Sequence, residues 1–400
     1  MIRLAKRLDN LPPYLFAQID AARERAAARG LDTVSMGIGD PDRDPPEWIR
    51  QMLCEEVMRS GNHRYPSYKG HPRLFDSAIR YMERRFGVKG LTHDHVMTTI
   101  GSKEGLANSV ATLLNPDDYY IAPDPMYPVF PTIAKLMGAQ GIGVPVHPST
   151  NFMPDLAKEL SEHQRRSARV MYVNYPHNPT GQVATRDYLR GLVEFACENE
   201  IILVSDLAYG EVYFGEQNRP ASLLEFDGGL DCVLEFHSFS KSFNMTGWRC
   251  GFCAGNPLLI KGLTTVKSNV DSGCFNAIQL TMARVLDDSR CDAFLAENRE
   301  HYRRRMNKVC AALEGMGLKI YRPGASIFVW CELPGGGRDS FTWCSELLDA
   351  TGLVVSPGAA YGAYGEGFFR VSLSTPDADI DRALAKLESF VNGKVRASGS

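Results

Sequence analysis

No stretch of this 400-residue chain approaches about 18 consecutive uncharged apolar residues, the length a helix needs to cross a bilayer, so no membrane span is expected. The opening Met1-Ile2-Arg3-Leu4-Ala5-Lys6-Arg7 is basic and runs into Pro12 and Pro13 instead of an apolar core, so no secretory signal is expected either. Charge of neither sign is in excess: 44 Lys and Arg face 47 Asp and Glu, a formal net charge of -3. Such a balance gives no polyanion-binding surface, and Arg84-Arg85 and Arg165-Arg166 read as solvated helix faces; nucleic acid is not an expected partner. The ten Cys are scattered, several inside apolar runs, which argues for reduced thiols and a cytoplasmic setting over a disulfide framework. Cys250 and Cys253 have C-x-x-C spacing but sit in an apolar strand-like stretch, where packing is the expected role. No Walker-type loop and no dinucleotide-binding glycine triplet occurs, and Gly37-Ile38-Gly39 lacks the helix and spacing that nucleotide binding needs. His177 reads as a loop residue with no second ligand at a useful spacing, and no metal is expected.

What is present is an ordinary globular composition, 44% hydrophobic and 23% charged, with 19 Phe, 16 Tyr and 4 Trp, which excludes wholesale disorder. The length exceeds what one core usually serves, so two domains are expected. Helices are predicted at 13–29, 47–59 and 73–85. A strand–helix rhythm follows: strands at 96–100, 119–122 (ended by Pro123), 142–146, 169–173, 201–205, 232–236 and 251–254, with helices at 102–114, 128–137 and 186–199 between them. Near-continuous apolar strands predict an α/β fold with a mainly parallel sheet covered by helices on both faces. From about residue 290 the pattern changes to a smaller α+β unit: a charged helix at 293–315, a strand at 327–331, a helix at 340–350, a strand at 369–373 and a helix at 378–391. The expected division is 40–288 for the large domain, with 1–39 and 289–400 forming the small one.

Chemistry-bearing residues cluster just beyond the expected strands, where open α/β sheets bind ligands. After 232–236 come Ser238, Ser240, Lys241 and, eight residues beyond the lysine, Arg249. Hydroxyls and a guanidinium suit a phosphate dianion, and a lysine amine can form an imine with an aldehyde. After 201–205 come Asp206 and Tyr209: a carboxylate at the end of a buried strand is costly unless it meets a cation or donor, and a protonated pyridine nitrogen is one such partner. Asn178, held before Pro179 in a turn after 169–173, can donate to a phenolic oxygen, as can Tyr209. Ile100-Gly101-Ser102-Lys103 passes from strand through a glycine turn into a helix, an anion site to which Ser102 can add a bond; the part of Lys103 is less defined. Tyr127 can stack on a planar ring. Arg370 is a lone charge opening an apolar strand, fit to grip a carboxylate in bidentate fashion. A structural role is open to each residue alone; together they match a phosphate, an aldehyde, a ring nitrogen, a phenolic oxygen and a substrate carboxylate.

At these residues, and over about 10–395, the chain resembles the fold-type I pyridoxal-phosphate enzymes, specifically the class I/II aminotransferases. The resemblance implies a seven-stranded, mainly parallel sheet, pyridoxal 5'-phosphate as cofactor and Lys241 as its Schiff-base lysine. It also implies Asp206 at the ring nitrogen, Tyr209 and Asn178 at the phenolic oxygen, and Tyr127 stacked on the ring. Ser102, Ser238 and Arg249 would hold the phosphate, with Lys103 and Ser240 beside them, and Arg370 the substrate α-carboxylate. Tyr65 in Arg64-Tyr65-Pro66 resembles the tyrosine that reaches the partner subunit's phosphate, which implies a homodimer with shared sites. Leu11-Pro12-Pro13-Tyr14, Met36-Gly37-Ile38-Gly39-Asp40-Pro41, Tyr65-Pro66-Ser67-Tyr68 and Asn269-Val270-Asp271 are similar to the LL-diaminopimelate aminotransferase group. That similarity implies ping-pong transfer between LL-2,6-diaminopimelate and 2-oxoglutarate in lysine synthesis, with Tyr14, Gly39, Tyr68 and Asn269 toward the substrate. One departure is that Tyr68 stands where the plant- and chlamydia-like branch carries an acid, so the distal substrate end must be selected differently. Alanine, aspartate, aromatic or methionine-like donors, and a C–S β-lyase, are the alternatives.

Overall fold

Alternate residues of the central strands feed two different cores. In the segment Ala168–Val173, Val170 and Tyr172 pack with the helices Ser102–Leu113 and Pro257–Val270, while Met171 and Val173 pack with Pro72–Phe86, Arg186–Glu198 and Asn276–Asp287. A strand buried on both faces cannot show polar alternation, which is why its sequence reads as a continuous apolar run. The computed structural model describes residues 2–9, 11, 15–337 and 339–398.

In chain order the strands are β1 Val34–Ser35, β2 Val96–Thr99, β3 Tyr119–Asp124, β4 Gln140–Pro145, β5 Ala168–Val173, β6 Ile202–Asp206, β7 Val233–Ser238, β8 Gly251–Gly255, β9 Ile320–Tyr321, β10 Phe328–Glu332, β11 Leu353–Val354, β12 Ser356–Pro357 and β13 Phe368–Ser372. Seven form one sheet in the order β2-β8-β7-β6-β5-β3-β4. All run parallel except β8, which is antiparallel to both neighbours. A four-stranded antiparallel sheet, β12-β13-β10-β9, belongs to the C-terminal part, where it packs with the helices Cys291–Gly315, Ser340–Thr351 and Asp377–Ser398. β1 pairs in parallel with β11, so the chain from 34 onward is tied to the C-terminal part before it enters the large sheet.

Several boundaries shift from the sequence expectation, among them those of β3 and β7 in the large sheet. β3 continues through Pro123 to Asp124. It pairs with β5 only up to Ile121 but with β4 through Asp124, so the proline falls where one flank no longer pairs. Cys232 ends the short helix Gly229–Cys232, and β7 runs from Val233 to Ser238, which makes Ser238 the last residue of a strand. Cys250 and Cys253 belong to different cores, one on each face of the sheet, so their spacing makes no compact thiol pair. No helix among the described residues is long and apolar enough to cross a membrane.

Candidate active site

The direction of β8 creates the site. Gly251, its first residue, registers with Thr99 of β2 on one side and Ser238 of β7 on the other. Because β8 runs against its neighbours, its start lies at the same edge as their carboxyl ends. Gly101-Ser102, Ser238 and Arg249 therefore converge at one edge of the sheet, although Gly101-Ser102 is far from the other two in the sequence.

Ser102 opens the helix Ser102–Leu113, whose first amides are unpaired within the helix, and Gly101 caps it at φ 74°. A Cβ on Gly101 would lie 2.6 Å from Arg249 Nη2, so glycine is what lets the guanidinium close over this turn. Arg249 is held there by bonds from Nη1 to the Thr246 carbonyl (2.7 Å) and from Nη2 to the Ile100 carbonyl (3.3 Å). Ser238 caps the short helix Phe239–Ser242 through its side chain, and that helix carries Lys241.

Lys241 Nζ donates to the carbonyl of Gly39, on the segment that β1 leads in. Burial pulls its amine down to about 8, with Arg370 and Arg249 adding to the effect and Asp40 opposing it. Asn298, on the helix Cys291–Gly315, donates to the carbonyls of Lys241 and Ser242 at 3.3 Å each.

Asp206 ends β6 and is buried. Its Oδ2 accepts from the Tyr172 hydroxyl at 3.5 Å, while Oδ1 is buried with no partner among the described residues. Burial raises its carboxyl to about 6, against the opposing bonds from the Ala208 amide, Tyr172 and Ser102. Asn174 braces two site residues: its Nδ2 donates to the Asp206 carbonyl (2.7 Å) and its Oδ1 accepts from the Asn178 amide (3.0 Å).

Arg370 lies on β13, opposite Trp330 of β10 and Ser356 of β12. It is fully buried, with its guanidinium 3.8 Å from the Phe328 ring centre and 4.8 Å from that of Tyr361. Nη1 donates to Asn178 Oδ1 (2.8 Å) and Nη2 to the Gly37 carbonyl (2.6 Å). Both acceptors are neutral, so the charge of the guanidinium is not cancelled by them.

One cavity of about 330 Å³ gathers these groups. Of the residues singled out from sequence, Gly39, Ser102, Lys103, Tyr127, Asn178, Asp206, Tyr209, Ser238, Ser240, Lys241, Arg249 and Arg370 line it. Tyr65, Tyr68 and Asn269 do not: both tyrosines are exposed, and Asn269 is exposed with its amide on the Thr265 carbonyl. The role expected for Tyr65 is at another subunit's phosphate, and its exposed ring lies outside this chain's own cavity. For Tyr68 and Asn269 the expectation of a place toward the substrate is not met within one chain, because their segments lie outside the cavity that the chain itself encloses. Tyr14 lies outside the described residues. Sequence reading missed Asp40, Phe328 and Thr246, which also line the cavity, and the bracing Asn174 and Asn298. Asn174 stood in the same motif as Asn178; Asn298 carries no sequence signal, because its role is set by helix packing. Among the described residues no group of three or more His, Cys, Asp or Glu could hold a metal.

The residues fit pyridoxal phosphate. The unpartnered Asp206 Oδ1 suits a ring N–H, the cup formed by Gly101, Ser102, Ser238 and Arg249 suits a phosphate, and Lys241 supplies an amine between them.

A family model described as aminotransferase class I and II matches residues 32–387. The chain is 41% identical over 387 residues to an LL-diaminopimelate aminotransferase of Oleidesulfovibrio alaskensis, covering 97% of this chain and 99% of that one. It is 39% identical over 391 residues to an LL-diaminopimelate aminotransferase of Gloeobacter violaceus, covering 97% and 98%. Among solved structures, substrate-bound BacF from Bacillus subtilis superposes with a TM-score of 0.93 at 27% identity, covering 98% of each chain. The aspartate aminotransferase of Thermus thermophilus with maleate superposes with a TM-score of 0.90 at 26% identity, covering 98% and 100%.

Proposed function

Since the chain belongs to the class I and II aminotransferases, fold-type I enzymes that use pyridoxal phosphate, we propose that it moves an amino group from LL-2,6-diaminopimelate to 2-oxoglutarate, a step of lysine synthesis. The observation that carries this donor is the identity of about two residues in five, over nearly the whole of both chains, with relatives of that name.

Pyridoxal phosphate, when bound, supplies an aldehyde that condenses with amines and a ring that accepts the electrons left when a substrate α-proton departs. The chain's residues do the rest. Arg370 binds the α-carboxylate and thereby fixes which bond faces the ring. Lys241 Nζ, partly neutral near pH 8, would take the α-proton as a general base and hand it to the cofactor's aldehyde carbon, on the far side of the amino nitrogen. Asp206 Oδ1 would hold the proton of the ring nitrogen. Asn178 and Tyr209 would serve the phenolic oxygen, Tyr127 the ring face, and Ser102, Lys103, Ser238, Ser240 and Arg249 the phosphate. Because the amino group stays with the enzyme between donor and acceptor, ping-pong kinetics follow.

The division into a large domain at 40–288 and a small domain of 1–39 with 289–400 is part of the same reading. So is a homodimer in a cytoplasmic setting. Tyr65 (85% exposed), Tyr68 (51%) and Phe275 (39%) belong to two segments that meet, where Asn276 Nδ2 reaches the Arg64 carbonyl and the rings of His63 and Phe275 lie 6.1 Å apart. Exposed aromatics gathered in this way suit a second copy of the chain, and sedimentation at low micromolar concentration checks it.

The test of the function is a donor panel with 2-oxoglutarate: LL-diaminopimelate, alanine, aspartate, glutamate and phenylalanine. LL-Diaminopimelate should give the highest kcat/KM. A much faster donor among the other four overturns the donor assignment.

A further inference from the structure

Among the described residues, the cavity is lined by four cations, Lys103, Lys241, Arg249 and Arg370, but by only two acids, Asp206 and Asp40. Asp206 is buried at the end of β6, on the side assigned above to the ring nitrogen. Asp40 is exposed, and among the described residues its carboxylate makes no hydrogen bond or ion pair.

Its backbone is nevertheless fixed from both sides. Met36 N–H donates to the Val354 carbonyl (2.8 Å), Gly37's carbonyl accepts from Arg370 and from Ser356 Oγ (2.8 Å), and Ile38's carbonyl accepts from Ser374 Oγ (3.1 Å). Gly39's carbonyl accepts from Lys241, and a Cβ on Gly39 would lie 2.5 Å from Phe328. Beyond it, Asp42 is clasped by both terminal nitrogens of Arg305 at 2.7 and 2.8 Å. An unpaired carboxylate thus stands on a rigid mount that also carries contacts to Arg370 and Lys241. A ligand group meeting it there would meet little reorganisation cost.

A diamino diacid held by Arg370 at one end carries its second ammonium on a carbon four carbon–carbon bonds from the first α-carbon, roughly 5 Å when extended. Asp40 follows the residue that holds Lys241, about 3.8 Å further along the chain. We infer that Asp40 is a specificity residue that receives the distal ammonium of a diamino acid donor. This rests on the donor reading above.

The experiment compares LL-2,6-diaminopimelate with L-2-aminopimelate, the same seven-carbon diacid lacking the second ammonium, each with 2-oxoglutarate, in wild type, Asp40→Asn and Asp40→Glu. The ratio of kcat/KM for the two donors should fall about 10- to 100-fold in D40N, mainly through KM, the range for losing a hydrogen bond to a charged group. D40E, which keeps the charge, should retain more of the ratio. An unchanged ratio in D40N, whether both donors fall together or neither does, overturns the inference, as does a D40E ratio as low as that of D40N. A wild-type enzyme with no preference for diaminopimelate overturns the donor reading and the inference together; a wild-type preference that survives in D40N overturns the inference alone.

Discussion

Arg370 Nη1 donates to the Asn178 side-chain oxygen at 2.8 Å, across 192 residues of sequence. The bond fixes the amide: with Oδ1 turned to the guanidinium, the NH2 end is left for the cavity. Asn178→Asp would put a carboxylate on Arg370 and remove that donor together. Its kcat/KM should fall by about two to three orders of magnitude, the scale of disturbing a buried, hydrogen-bonded charge. Arg370→Lys, which cannot form the fork, should raise KM for every amino acid donor. Steady-state kinetics with two donors check both, and an N178D enzyme of wild-type efficiency would contradict the arrangement.

Asp206 makes the cofactor-free protein sensitive to pH in a particular direction. Its carboxyl is raised to about 6 from an ordinary 3.8, by burial first. Between those values the native state holds more protons than the unfolded one, so this residue's contribution to stability is lost as pH rises through the window, by about 3 kcal/mol in all. Melting temperatures of cofactor-free wild type and Asp206→Asn at pH 4.5 and 7 should show the variant gaining on wild type as pH rises. Parallel curves would count against a carboxyl raised by burial.

Lys241 should react as an amine of lowered basicity. With its amine at about 8, the borohydride-fixed adduct with pyridoxal phosphate should form faster as pH rises, reaching half its limiting rate near pH 8. An ordinary exposed lysine would go on accelerating toward pH 10.5. Peptide mapping of the adduct at each pH reads the result, and label at another lysine would remove Lys241 from its role.

Gly101 is constrained twice, by φ 74° and by the guanidinium 2.6 Å from where a Cβ would stand. Gly101→Ala must displace Arg249 or the helix start. Pyridoxal phosphate should dissociate at least about 10-fold more readily, while the far-ultraviolet circular dichroism stays that of the wild type. Unchanged affinity in a spectral titration would mean that Arg249 does not close the phosphate cup.

The carboxyl edge of the sheet was readable from the chain alone to within about two residues, because the apolar runs give way there to polar residues. Asp206, Lys241 and Asn178 follow such runs, and all three line the cavity. Neighbour relations were not readable, since hydrophobic pattern gives a strand's faces but neither its partner nor its direction. Only the fold made β8 antiparallel, which brings Arg249 beside Ser102; only helix packing placed Asn298 on the Lys241 carbonyl; and only the pairing of β1 with β11 carried Asp40 to the cavity. Tyr65 and Tyr68 show the same limit from the other side, for a motif can name a residue without saying which chain's cavity it faces.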